Sequence, residues 1–215
     1  MLSETSYAVI ERICRYRALI PYEGTDGNLI LGAIGAARAA NGFTEGINVE
    51  KARAVYSGDQ RYSEYLAFIQ SVDVFTDTGN GGNQIAIVPD PTVPRHRRRV
   101  IIAESSGGGT DVAKQRANWE CARRYGRSFV VALTTDSWRD SAGTLYTPNT
   151  LVPLALPKLK LPTLGTNGNM WVISDVTYRL DENGTHADLT IMPPTAFYPE
   201  PILLQPFFPD LGLGS

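Results

Sequence analysis

The sequence is poor in the residue types on which most catalytic and metal sites depend. Only two histidines, His96 and His186, occur among 215 residues, and no HxH or HxxxH spacing joins them. The two cysteines, Cys14 and Cys121, have no CxxC partner. We expect both to be buried reduced thiols rather than a disulfide, and the protein to be synthesised in a reducing compartment. A zinc site and a Ser-His-Asp triad are both poorly supported. The sequence therefore predicts no catalytic residue, no metal site and no cofactor.

The sequence also lacks a marked excess of positive or negative charge, and it lacks a long hydrophobic run. The formal net charge is −2 and the pI is about 5.7, which argues against wholesale binding to nucleic acid or anionic membranes. Apolar runs such as FVVAL are too short to span a bilayer. The N-terminal MLSETSYAVIERICRYR lacks the uninterrupted apolar segment of a secretory signal. Hydrophobic residues still make up 43% of the chain, which is enough to bury a core.

The N-terminal pattern predicts a helix followed by a β-hairpin. One apolar face of a helix over about residues 5–18 consists of Val9, Ile10, Ile13 and Cys14. Ser3 and Thr5 are both candidate N-caps. Two apolar runs then flank EGTDGN, which is a strong hairpin signal. We assign residues 1–46 to a small helix-plus-hairpin unit that needs another surface to bury its apolar face.

Most of the remaining pattern is β. Strands are predicted near residues 49–56 and 62–72, in SFVVALTT, which we expect to be buried on both faces, and in TLVPLALP. The stretch MWVISDVTYRLDENGTHADLTIM alternates apolar and polar residues around Asn183-Gly184, which is typical of a half-buried antiparallel hairpin. Residues 76–99 are interpreted as a Gly/Asn-rich loop that interrupts the β pattern.

A second helix is predicted from Thr110 or Asp111 to about residue 125, after a short strand. A narrow stripe of mostly small residues on this helix suits close packing on a sheet. The stripe consists of Ala113, Ala117, Cys121 and Tyr125. Gly126 suits the position that follows a helix. The preceding SSGGGT lacks the GK[ST] ending of a P-loop and the GxGxxG pattern, so we interpret it as a connector rather than a phosphate cradle.

One dense basic patch occurs in PRHRRRV. Its cationic residues are Arg95, Arg97, Arg98 and Arg99. A solvated strand entry is the plainer interpretation, and contact with the phosphates of DNA passing nearby is the alternative. No aromatic residue is interleaved with the arginines, so we do not expect sequence-specific binding.

The C-terminal residues 198–215 are apolar and rich in proline. Leu203, Leu204, Phe207 and Phe208 lie among four prolines, which prevent a helix and block most ladder positions. Such a segment either packs across its own domain or docks on another chain, because its apolar side chains would otherwise form an exposed patch. The four side chains are therefore candidate partner-binding residues.

Several stretches, in order, resemble the baseplate hub (tail) proteins of Mu-like contractile-tailed bacteriophages. They are SYAVIERICRYRALIPYEGTDGNLIL, EGINVEKARAVYSGDQRYSEYLAF, WECARRYGRSFVVAL, and LYTPNTLVPLALPKL ahead of MWVISDVTYRLDENGTHADLTIMPPTAF. The resemblance covers almost the whole chain. Members of this family usually carry a further barrel domain upstream of the first helix, so the resemblance implies that this chain lacks the usual N-terminal domain.

The resemblance implies an α+β fold in which an antiparallel, tail-tube-like β-barrel-like domain carries a small helix-plus-hairpin domain and an inserted helix. Residues 47–75 and 128–197 would form the discontinuous barrel, and residues 76–127 the insertion. The implied function is structural: a homotrimeric baseplate hub subunit of the virion that joins the tail tube to the membrane-piercing spike. It would be made in the bacterial host cytoplasm, have no direct membrane anchor, and contact passing DNA without sequence specificity.

Two alternatives remain open at this stage. One is a hub or spike component of a tailocin or a type VI-like injection machine. The other belongs to a different class, a tail-associated cell-wall hydrolase, although no converging pair of catalytic carboxylates is visible in the sequence.

Overall fold

A computed structural model of the chain describes residues 4–24, 26–70, 83–103, 110–164, 169–182 and 184–200. The α-helices are α1 (Ser6–Tyr16) and α2 (Thr110–Arg127). The strands are β1 (Ile20–Glu23), β2 (Leu29–Gly32), β3 (Ala37–Arg38), β4 (Phe43–Thr44), β5 (Lys51–Tyr56), β6 (Glu64–Gln70), β7 (Asn83–Pro89), β8 (Arg98–Ala103), β9 (Phe129–Thr135), β10 (Thr150–Ala155), β11 (Met170–Asp181) and β12 (Gly184–Met192).

The N-terminal helix and hairpin form as the local sequence predicts. Thr5 caps α1, its hydroxyl accepting a hydrogen bond from the amide of Ala8 at 3.2 Å. Ala18 has a φ of 53° and ends the helix, and the amide of Leu19 donates to the carbonyl of Cys14 at 2.9 Å. β1 and β2 then pair antiparallel in a two-stranded sheet.

A large mixed sheet contains seven strands in the described part of the chain. Its order is β3–β10–β11–β12–β9–β5, and β4 also pairs with β10. β3 and β4 run parallel to β10, and the other pairs are antiparallel. The sheet is open, with β5 at one edge and β3 and β4 at the other. The expected α+β class is confirmed, but none of the described sheets closes into a barrel.

One face of the large sheet carries its core and the other is polar. Trp171, Phe43, Ile173, Leu189 and Val131 are among its buried side chains. The expectation that β9 is buried on both faces is wrong. Ala132 is exposed between two buried neighbours in β9, because only one side of the sheet is covered.

The C-terminal hairpin is confirmed as a half-buried antiparallel pair. β11 and β12 run from the pair Val172 and Met192 to the pair Asp181 and Gly184, with a β-bulge near residue 174. Gly184 has a φ of 116°, a conformation that favours glycine at the turn. Asn183, which we expected to share this turn, lies outside the described residues.

A separate three-stranded sheet has the order β7–β6–β8. β7 lies in the segment that we expected to be a loop, and β6 lies here rather than in the large sheet. The reason is tertiary: Tyr65 and Ala67 of β6 are buried in one cluster with Ala113 and Ala117 of α2. β6 pairs antiparallel with β7 and parallel with β8, and such long-range pairing leaves little trace in the local pattern.

Helix α2 joins this small sheet to the end of the large one. Its predicted small-residue stripe is confirmed, with Ala113 and Ala117 fully buried. The predicted role of Gly126 is wrong, because the helix continues to Arg127. A Cβ atom at Gly126 would lie 2.3 Å from the amide nitrogen of Ala196. Gly126 therefore permits the close approach of the 3₁₀ turn Pro194–Phe197.

Candidate interaction surfaces

The predicted basic patch lies at the start of β8, and most of it contacts the chain itself. The guanidinium of Arg97 donates to the carbonyls of Gly58 and Asp59, both at 3.1 Å. Arg98 pairs with Glu64 at 2.6 Å, and the Nε of Arg99 lies 3.9 Å from Glu120. Arg95 is exposed. Three of the four arginines therefore have structural contacts within the chain.

The predicted partner-binding side chains lie outside the described residues. They are Leu203, Leu204, Phe207 and Phe208. The residues that lead to them are held in place: the carbonyl of Tyr198 accepts a hydrogen bond from the indole of Trp119 at 2.8 Å. Glu200 forms an ion pair with Arg116 and lies 3.9 Å from Arg15. The C-terminal segment thus leaves the described structure between α1 and α2.

An exposed apolar surface on the three-stranded sheet was missed by the sequence analysis. We call it the open apolar face; it consists of Phe68, Ile85, Ile87, Val100 and Ile102, with the buried Leu66 between Ile87 and Val100 on the central strand. Strand pairing places these side chains in two rows on the side of the sheet opposite α2. Ile102 is 83% exposed. The alternation in QIAIV was the available signal, but the surrounding Gly, Asn and Pro residues led to a loop assignment.

Contiguous apolar side chains of this kind mark an interaction surface. The opposite face of the same sheet is buried against α2, so among the described residues the open apolar face is the side accessible to another molecule. Glu64 and Arg98 form an ion pair at one end of it.

The titratable groups of the described residues lie apart from one another or in ordinary ion pairs. His186 lies 3.1 Å from Glu50 and 3.7 Å from Asp181 at the exposed end of the C-terminal hairpin. Hydrogen bonds from Thr134 and then Arg179 hold the pKa of Asp188 below its usual range. Across the described ranges, no three His, Cys, Asp or Glu side chains are grouped so that they would hold a metal ion.

The cysteines have the character of packed thiols. Cys14 is buried, Cys121 is half-buried, and neither forms a disulfide in the described structure. Burial, with a smaller contribution from Asp90, raises the pKa of the Cys121 thiol to about 11. Cys121 therefore stays protonated at neutral pH and is a poor nucleophile. None of the helices in the described ranges has the length and apolar character needed to cross a membrane.

Two of the solved structures that share this fold are tail proteins, and one of them comes from a prophage. The 43 kDa tail protein of prophage MuSo2 from Shewanella oneidensis is 25% identical with a TM-score of 0.72; the match covers 91% of this chain and 55% of that one. A tail protein from Neisseria meningitidis MC58 is 18% identical with a TM-score of 0.66; the match covers 91% of this chain and 58% of that one, and shows the fold alone. The chain thus shares its fold with these tail proteins.

Two sequence matches point to a narrower class of protein than the fold does. Residues 109–200 match the model of the Mu phage baseplate assembly protein GpP, fourth domain. The baseplate hub protein gp44 of Escherichia phage Mu is 26% identical over 205 residues, which is 91% of this chain and 51% of that protein. These matches confirm the resemblance to baseplate hub proteins of Mu-like phages. The chain spans about half the length of this curated relative.

Proposed function

We propose that this chain is a structural subunit of a phage baseplate hub, placed where the tail tube meets the membrane-piercing spike. The observation that carries the proposal is the similarity to baseplate hub protein gp44 along 91% of the chain. The role is architectural and not catalytic, and the site of action is the virion, after synthesis in the host cytoplasm.

We also propose that the subunit acts as a homotrimer. One structural feature, the open edges of the large sheet, supports this proposal. The large sheet has unpaired edges at β5 and at β3 and β4 in the described residues, and edge strands are ready templates for pairing with another chain. The tube-like, barrel-like arrangement implied by the resemblance would then belong to the assembled ring, with the large sheet as one segment of it.

Contacts with the tail tube and the spike would use apolar surface. The open apolar face is available on the described structure, and Leu203, Leu204, Phe207 and Phe208 supply further apolar side chains. Burying apolar surface stabilises an assembly by about 25 cal/mol per Å². Contact of the basic patch with passing DNA is a weaker proposal. The patch consists of Arg95, Arg97, Arg98 and Arg99, and three of these arginines already have partners in the chain.

Deletion of the gene from the phage that encodes it tests the proposed function. Electron microscopy of lysates should show tails without complete baseplates, and expression of the intact chain should restore them. Normal, infectious particles from the deleted phage would contradict the proposal.

Truncation after Glu200 tests the role of the C-terminal segment separately. Cutting there keeps Tyr198 and Glu200, which contact α2, so the remaining chain should fold. We expect the truncated chain to fail in restoring baseplates. Full restoration would show that Leu203, Leu204, Phe207 and Phe208 are not needed for assembly.

A further inference from the structure

Helix α2 carries four arginines, and two of them have a carboxylate partner. Arg116 pairs with Glu200, and Arg124 pairs with Glu120 at 2.7 Å. Within the described residues, Arg123 and Arg127 have no carboxylate within ion-pair distance. They lie one helical turn apart, where like charges destabilise each other.

Arg123 is held in place but forms no ion pair in the described structure. Its guanidinium stacks over the indole of Trp119 at 5.0 Å, and its buried Nε has no hydrogen-bond partner in the described structure. Burial and the positive charge of nearby Arg127 lower the pKa of Arg123, and they outweigh the opposing effect of Glu120. Arg127 uses its Nε to donate to the carbonyl of Ala196 at 3.2 Å, which leaves its terminal nitrogens for another acceptor.

Both arginines line a cleft of about 410 Å³ between α2 and the turn after β5. Its other walls include Ser57, Gln60 and Trp119. Glu120 is the one carboxylate in the lining, and its Oε1 already accepts from Arg124. The cleft therefore holds two fixed positive charges in excess of its negative charge.

We propose that this cleft binds a carboxylate of an acidic segment from a partner protein, with Arg123 and Arg127 as the ligating groups. Guanidinium groups recognise planar carboxylates through paired hydrogen bonds. Duplex DNA presents a row of phosphates and binds most strongly to a broad row of cations, whereas here two unpaired guanidinium groups share one recess. The inference does not depend on a place in the baseplate.

The test uses the full chain and two capped peptides, hexaglutamate and hexaglutamine, with binding followed by calorimetry. We expect hexaglutamate alone to bind. Replacing either arginine, as Arg123→Gln or Arg127→Gln, should weaken binding by about tenfold, as expected for losing one charged hydrogen-bond donor group. Arg95→Gln is the matched control, because Arg95 is exposed and outside the cleft, and it should leave binding unchanged.

Three outcomes would overturn the proposal. The first is no binding of hexaglutamate to the unmodified chain, and the second is equal binding by the Arg123→Gln/Arg127→Gln double variant. The third is arginine-dependent binding of a thymidine hexanucleotide without binding of hexaglutamate, which would assign the cleft to phosphate instead. If Arg123→Gln does not fold, the exposed Arg127→Gln alone decides the comparison.

Discussion

Gly126 allows helix α2 to pack closely against the 3₁₀ turn Pro194–Phe197, because glycine has no side chain. A methyl group there would meet the backbone of Ala196 at 2.3 Å and the hydroxyl of Thr195 at 2.5 Å. We expect Gly126→Ala to lower the free energy of unfolding by about 1–3 kcal/mol, because backbone must move to accept the added atom. Urea unfolding followed by circular dichroism measures this difference.

Gly58→Ala is the matched control for this substitution. An added Cβ at Gly58 has no atom within 4 Å and the residue has no positive φ, so its effect should stay within about 0.5 kcal/mol. Equal effects of the two substitutions would show that the approach of Ala196 to α2 is not important for stability.

Asp90 is a buried carboxylate that supports the loop after β7. Its burial alone would raise its pKa, but hydrogen bonds from Thr92 and Arg61 outweigh burial, and the net pKa is lowered. Because the folded pKa is depressed, the stabilisation is present above the unfolded pKa of about 3.9. It is lost as the pH falls through the folded value.

Asp90→Asn should therefore destabilise the protein in a pH-dependent way. At pH 7 we expect a loss of about 3–5 kcal/mol, because Arg61, which is 2.6 Å from Asp90, would remain buried without its counter-charge. Below about pH 4 the difference between variant and wild type should shrink. A difference that stays constant from pH 7 to pH 3 would contradict this role of the ionised carboxylate.

At the scale of secondary-structure elements, β8 places neighbouring isoleucines in opposite environments. Ile101 is 7% exposed and packs toward α2, while Ile102 is 83% exposed on the open apolar face. We expect Ile101→Ala to lower the free energy of unfolding by about 2–5 kcal/mol. Ile102→Ala should change it by less than about 0.5 kcal/mol. Equilibrium unfolding of both variants distinguishes them, and similar losses would mean that the face is covered in the isolated chain.

Elements with a strong local signal were predictable from the sequence. α1, α2 and the hairpin β11–β12 follow from helical stripes, caps and turn residues, and each occupies its predicted segment to within a few residues. β7 was not predictable in this way, because its alternation is bounded by segments dense in Gly, Asn and Pro.

Pairing partners were harder to predict than elements. β3 is two residues long and pairs with β10, which begins at Thr150, more than a hundred residues later. The alternating pattern of β6 would suit a strand of either sheet. Only its packing against α2 places it in the three-stranded sheet. The cleft lined by Arg123 was also not predictable from the local sequence, because its walls come from two distant segments, the turn after β5 and α2. The basic patch, in contrast, was visible in the sequence because its arginines lie close together along the chain.

At the scale of the whole molecule, the proposed assembly surfaces determine the oligomeric state. If the open edges and the open apolar face are assembly surfaces, the purified chain should form a trimer whose population rises with concentration. Light scattering across a concentration range measures this. A chain that stays monomeric at the highest accessible concentration would contradict trimerisation through the described surfaces alone.

The most direct test of the central proposal is absolute quantification of this chain in purified phage particles. Isotope-labelled reference peptides from α2 and β12, with capsid protein as the internal standard, would give the copy number per particle. We predict a low copy number in a multiple of three that stays with tails when heads are removed. Absence of the chain from intact, infectious particles would contradict a structural role in the baseplate.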